Sequence, residues 1–212
     1  MSPAARLAML AVVAVTPAFL NDFLYIRAAA VSDWLIADYG SKLLVGAMIL
    51  TLPDTRRALA GAWSRAPFRR ADWHQPMALA LAVAGIVVTA FLYLKPPLDI
   101  LAPDMILFDY PDIENPAVRT FDLTLGLVLT AVVEEMAFRG LARRVMENVT
   151  ENVIVVVVAS AAIFAAIHWS NGLGSLAVTF VAGVLLMALY IRSGSLWPPV
   201  IAHYLANLAL FI

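Results

Sequence analysis

Three ionisable residues, Glu134, Glu135 and Arg139, stand together in an otherwise apolar part of the chain. Leu123–Val133 ahead of them carries no charge, and a long apolar stretch resumes at Val153. An ionised side chain at the centre of a bilayer costs on the order of 2.5–3.5 kcal/mol on insertion scales. Such residues therefore need a partner, a wet cavity or a chemical task. Three more polar residues sit in similar surroundings: His168, His203 and Asn207. Phe164 to His168 reads F-x-x-x-H and His203 to Asn207 reads H-x-x-x-N, and a four-residue step stacks both members on one helical face. A carboxylate and a neutral imidazole sharing one water can deprotonate it as it attacks a carbonyl. A second imidazole and an amide facing them can donate to the developing oxyanion, an effect often worth about 2.7–4 kcal/mol per donor.

Each residue also has a plainer reading. One of the two glutamates is expected to pair with Arg139, since spacings of four and five residues both allow it. A lone membrane histidine, or Asn207, can be an interhelical hydrogen-bonding group. Phe138 and Phe164 read most simply as packing residues. Two histidines beside a diacid favour the chemical reading. The chain lacks G-x-S-x-G and H-E-x-x-H, and with no cysteine it has no thiol nucleophile or Cys-based zinc site.

The positioning elements follow from composition. Of 212 residues, 63% are hydrophobic and only 14% charged, with a mean hydropathy of +0.87. Soluble domains run near 45–50% apolar and about 25% charged, so an all-α, polytopic transmembrane bundle is expected. The net charge of −1, without a basic stripe, gives no case for nucleic acid. Seven spans are expected. The first is Ala4–Ile26, weakened by Pro17 and by Asn21–Asp22. Arg6 before an apolar run also resembles a secretory leader with Ala28–Ala30 as its cleavage site, but the segment reads as a retained span. The second, Trp34–Leu52, contains Asp38 and Lys42 four apart, read as a self-neutralising pair near the interface with a proton relay as the alternative. Pro53–Pro76 reads as a basic loop and Ala78–Leu94 as the third span. Lys95–Asp122 reads as an acidic loop in which five prolines break any helix. The fourth span begins near Phe121 and carries the Glu pair. Val153–His168, Leu173–Ile191 and Leu196–Ile212 complete the set, the last with Pro198 and Pro199 in its first turn.

The positive-inside rule puts Arg56–Arg70, Arg143, Arg144 and Arg192 on the cytoplasmic side, with the amino terminus inside. Residues 1–120 are thus three amino-terminal spans with a basic cytoplasmic and an acidic external loop. Residues 121–212 are a four-span core. If the fourth helix runs to about Glu147 and the fifth starts near Glu151, Glu134 and His168 differ in depth by roughly 6 Å, about one turn. His203 and Asn207 reach the same layer.

The ordered set Glu134-Glu135-x-x-x-Arg139, Phe164-x-x-x-His168 and His203-x-x-x-Asn207 resembles that of the CAAX protease and bacteriocin-processing family (CPBP, also called Abi). Its members are intramembrane glutamic endopeptidases. The resemblance covers roughly 121–212 and implies that Glu134 with His168 activates the water, that His203 and Asn207 form the oxyanion site, and that Glu135 and Arg139 support it. It implies catalysis without a metal or other cofactor. It further implies a peptide or membrane-protein substrate, a carboxyl-terminally tagged one among the options, met in the cell's inner or plasma membrane. The alternatives are a proton-coupled transporter, a zinc-dependent protease with Glu134, His168 and His203 as ligands, and a non-catalytic immunity protein of the same fold.

Overall fold

The computed structural model describes residues 1–64 and 73–212. Arg65, Arg69, Arg70 and Asp72 of the basic loop lie outside the described residues. The protein is all-α, and no strand occurs among the described residues beyond an isolated antiparallel bridge between Ile106 and Asn171.

Helix α1 spans Pro3–Tyr25, opened by Pro3 and by the Ser2 hydroxyl, which accepts from the Ala5 N–H. Helix α2 is Val31–Thr51, α3 the short Pro53–Ala58, and α4 His74–Leu101. Residues 116–147 form one continuous helical run, α5, that switches between α and π geometry. Helix α6 is Val153–Ala166, capped by the Asn152 side chain, and α7 is Leu173–Ser193. Gly172 and Gly194 bracket α7 with φ of 95° and 66°, backbone that favours glycine. Helix α8 is Trp197–Phe211 with Pro198 and Pro199 in its first turn.

Three expectations need correction. Pro96 and Pro97 do not end α4, which continues to Leu101. The missing N–H groups cost hydrogen bonds, but Lys95 Nζ meets Asp99 Oδ2 at 2.6 Å and Asp99 Oδ1 accepts the Gly174 N–H at 2.8 Å, tying the extension to the start of α7. The basic loop is also partly helical, because Pro53 at the first position and Asp54 in the first turn both suit a helix start. Likewise Pro116, behind an Asn115 cap, starts α5 rather than breaking a helix.

Among the described residues, four helices, α1, α2, α4 and α7, are long and apolar enough to cross a membrane. Their outward faces are apolar, with Val12, Leu20, Ile36, Leu43, Leu81 and Leu92 exposed, while several polar side chains are turned inward. That is the inversion expected of helices solvated by lipid. α6 and α8 are shorter, and α5 is divided by its π turns. Helix α1 packs on α2, α2 on α5, α6 on α7, and α4 on both α7 and α8. Small residues permit the tightest crossing. A Cβ on Gly183 of α7 would lie 2.8 Å from Ala161 Cα of α6.

Candidate active site

The acid pair stands where α5 passes from α to π geometry. Glu134 and Glu135 close the α-helical segment, and Met136–Ala142 is π-helical. The wider turn buries six residues in succession, Met136 to Leu141, which an α-helix with one exposed face would not do. Ser160 of α6 donates to the Phe138 carbonyl within this turn at 2.9 Å, pinning it to the neighbouring helix.

The two glutamates have different surroundings. Glu135 is fully buried, and its Oε1 lies 3.1 Å from Arg139 Nη1 and 2.9 Å from His203 Nδ1. Arg139 is equally buried, and its approach to Glu135 is an ion pair rather than an aligned hydrogen bond. Its guanidinium also lies over the Phe164 ring, 4.1 Å from the centroid. Glu134 keeps slight exposure toward a cavity, its Oε2 has no hydrogen-bond partner, and that oxygen is 3.7 Å from His203 Nε2. Glu135 Oε2 is likewise without a partner, so what separates the two is that the arginine pairs with Glu135 and only Glu134 lines the cavity.

His168 lies in the turn after α6, not on the helix as the sequence suggests, because α6 ends at Ala166. The four-residue relation to Phe164 nonetheless survives. His168 Nδ1 is 3.1 Å from the Phe164 carbonyl, and the two rings meet edge to face at 5.2 Å. If Nδ1–H donates to that carbonyl, a neutral ring carries its lone pair on Nε2. Phe164 meets His203 in the same way at 5.9 Å and Phe138 at 5.2 Å. Read from sequence as packing, Phe164 is the surface on which Arg139 and both imidazoles are arranged. Its place four residues before His168 was the available signal.

Glu134, His168, His203 and Asn207 all line one cavity of about 220 Å³. The imidazole beside Glu134 is His203. Both imidazoles face the cavity that Glu134 faces. The arrangement offers a carboxylate oxygen without a protein partner, an imidazole with an available nitrogen, and an amide. Those are the elements of general-base catalysis with oxyanion donors. Among the described residues, no three His, Asp or Glu side chains converge as a metal-binding group.

The opposite wall comes from α1, α2 and the segment before α5. Asp38 and Lys42 do pair, both lining this cavity, and the Tyr25 hydroxyl donates to Asp38. Tyr39 and Tyr110 both donate to Asp122. Asp22 accepts from the Ser170 hydroxyl at 2.7 Å and the Ser170 N–H at 3.3 Å, so α1 holds the turn that carries His168.

Neither the curated proteins nor the solved structures include a match to the chain. Residues 116–209 match the model of a family described as "Type II CAAX prenyl endopeptidase Rce1-like". The match begins where α5 begins and takes in all seven motif residues, on α5, α6, the turn after α6 and α8. With these motifs in that order within the matched segment, this part of the chain is similar to the Rce1-like CAAX endopeptidase family.

Proposed function

We propose that the protein is an intramembrane endopeptidase of the glutamic type, hydrolysing a peptide bond of a membrane-associated substrate. The observation that carries this reading is the division of labour in the acid pair. Arg139 and His203 share Glu135 Oε1, and Glu135 does not line the cavity, while Glu134 lines it together with two imidazoles and an amide and keeps an oxygen without a hydrogen-bond partner. Burying such an oxygen without a partner is costly, and a bound water or substrate group offsets that cost.

In the proposed reaction, Glu134 takes a proton from a water also held by His168 Nε2, and the water oxygen attacks the scissile carbonyl carbon. The carbonyl oxygen, now negative, accepts from His203 and Asn207. Glu134 then returns the proton to the amide nitrogen as the C–N bond breaks, giving a carboxylic acid and an amine. His203 Nδ1–H is directed at Glu135, so donation through Nε2 requires the ring to carry both protons. Two carboxylates, one guanidinium and one imidazolium then sum to zero charge, which suits a buried site. Catalysis is proposed to need no metal.

The proposed topology has seven traverses, with the amino terminus on the cytoplasmic side. It is supported by the helix ends. Ala62 and Ser64 meet Leu196 and Ser195 at one end, and Asp22 meets Ser170 at the other.

Mass spectrometry of membrane-protein termini, comparing cells with the unsubstituted protein and with Glu134→Gln, tests the function and identifies the substrate. New termini that vanish with Glu134→Gln, His168→Ala and His203→Ala are the expected result. Activity that survives Glu134→Gln rejects the mechanism, and loss on chelation with recovery on adding zinc moves it to the metal-dependent alternative. Proton flux in proteoliposomes without hydrolysis supports the transporter.

A further inference from the structure

Two buried polar atoms on the wall contributed by α1 and α2 have no partner. Trp34 of α2 is 5% exposed and lines the cavity, and its indole N–H meets no acceptor. Asn21 of α1 lines the same cavity, and its Oδ1 is buried without a donor. The neighbouring bonds fix the orientation of that amide. The Tyr25 hydroxyl gives its one proton to Asp38, so it accepts from Asn21 Nδ2 at 2.9 Å and leaves Oδ1 as the free end. The two residues are linked through Tyr25, whose ring lies 5.9 Å from that of Trp34.

An unmet donor and an unmet acceptor on one wall are complementary to a group that carries both senses. A lone ammonium or carboxylate serves only one of them, whereas the backbone of a peptide presents N–H and C=O along its length. The surroundings suit a chain more than a small ion, since Trp34 also packs against Phe108 and Tyr110. The wall is also registered to the chemistry. Asp22, next to Asn21 in sequence, is the residue bonded to the turn bearing His168.

We propose that Trp34 and Asn21 dock the backbone of an extended peptide substrate, the indole donating to a substrate carbonyl and the Asn21 carbonyl accepting a substrate N–H. This rests on the hydrolytic reading of the Glu134 site and assigns substrate docking to helices outside the matched segment 116–209.

The test uses the full chain carrying Glu134→Gln, in nanodiscs, with a panel of fluorescein-labelled decapeptides anchored by a palmitoyl group and read by anisotropy. The tightest binder is then remade with each backbone amide in turn replaced by an ester, which removes one N–H. Trp34→Phe keeps the ring, and Asn21→Leu keeps the approximate volume. Each is expected to weaken binding roughly three- to tenfold, the scale of one neutral hydrogen bond. One ester position is expected to weaken binding by a similar factor, and to lose that effect in Asn21→Leu. The proposal is overturned if no peptide of the panel binds. It is equally overturned if both variants and every ester bind within twofold of the parent, the pattern of atoms satisfied by water alone. The ester series and Asn21→Leu do not involve Trp34, so misfolding of Trp34→Phe leaves the question decidable. Cleavage of the same peptides is measured with Glu134 intact. Peptides that bind with this signature yet are never cut count against the hydrolytic reading, not against the docking site.

Discussion

Glu134 and Glu135 are adjacent and chemically identical, yet their substitution is expected to have different consequences. Glu135 shares its Oε1 between Arg139 and His203, and removing one member of a buried ion pair leaves an uncompensated charge. Glu135→Gln is therefore expected to lower stability by about 3–5 kcal/mol, read as a fall in thermal midpoint in detergent. Glu134 holds a buried oxygen that no protein group satisfies. Glu134→Gln keeps the shape and leaves the Arg139–Glu135 pair intact, so the variant is expected to lose less stability than Glu135→Gln while cleaving nothing. Equal destabilisation by the two variants would mean that Glu134 is also a structural partner. Sequence allowed this division without assigning it, because Arg139 is within reach of either glutamate at i,i+4 or i,i+5 spacing. The π turn decides the matter, and no residue pattern in Met136–Ala142 announces it.

At the level of helices, the alternation of apolar runs made the bundle legible, and the Glu134–His168 hairpin turned near where the lengths required. The helix ends were less legible. Pro96 and Pro97 read as breakers by local rules, but α4 passes through them because Asp99 is held from α7, a tertiary contact that sequence windows cannot contain. The crossing of α6 and α7 is similar. Gly183 looks unremarkable in sequence, yet Ala161 approaches so closely that any Cβ must push the helices apart. Gly183→Ala is expected to cost about 1–3 kcal/mol, the range for overpacking a close interface. Helix α6 also carries Phe164, on which Arg139 and both histidines rest. The same variant should therefore lose activity at temperatures where it remains folded. Thermal unfolding and cleavage rates measured on one preparation separate these effects, and a variant that is destabilised but fully active would show that the Phe164 platform tolerates displacement of its helix.

For the whole molecule, the motif residues occupy only one wall of the cavity, and α1 and α2 contribute to the other. In the sequence, Asn21 and Asp22 weakened the first apolar run as a span. In the folded chain Asp22 is 3% exposed and bonded to Ser170, 148 residues away. A separation of that size leaves no periodic trace, so the amino-terminal helices could be counted but not given a role. Their packing gives them one. Helix α4 lies against α7 and α8, so residues 116–212 alone would expose those faces, and this fragment is expected to be inactive unless residues 1–115 are co-expressed. Asp22 tests the coupling more finely. Its carboxylate takes both the hydroxyl and the N–H of Ser170, two residues after His168, and thereby fixes the turn from which the imidazole reaches the cavity. Asp22→Ala removes both acceptors, and the turn should sample positions in which His168 no longer faces the water. A positioning residue of this kind lowers kcat and leaves KM nearly unchanged, because it acts on the transition state and not on substrate binding. A loss of roughly tenfold or more in kcat is expected, since displacement of about 1 Å can cost a hundredfold. Asp22→Asn retains one carbonyl acceptor for the Ser170 hydroxyl and should recover part of the rate. If Asp22→Ala instead raises KM at constant kcat, Asp22 contacts the substrate directly. If it changes neither, the His168 turn is held by its own bonds to Phe164 and to the bridge at Ile106 and Asn171.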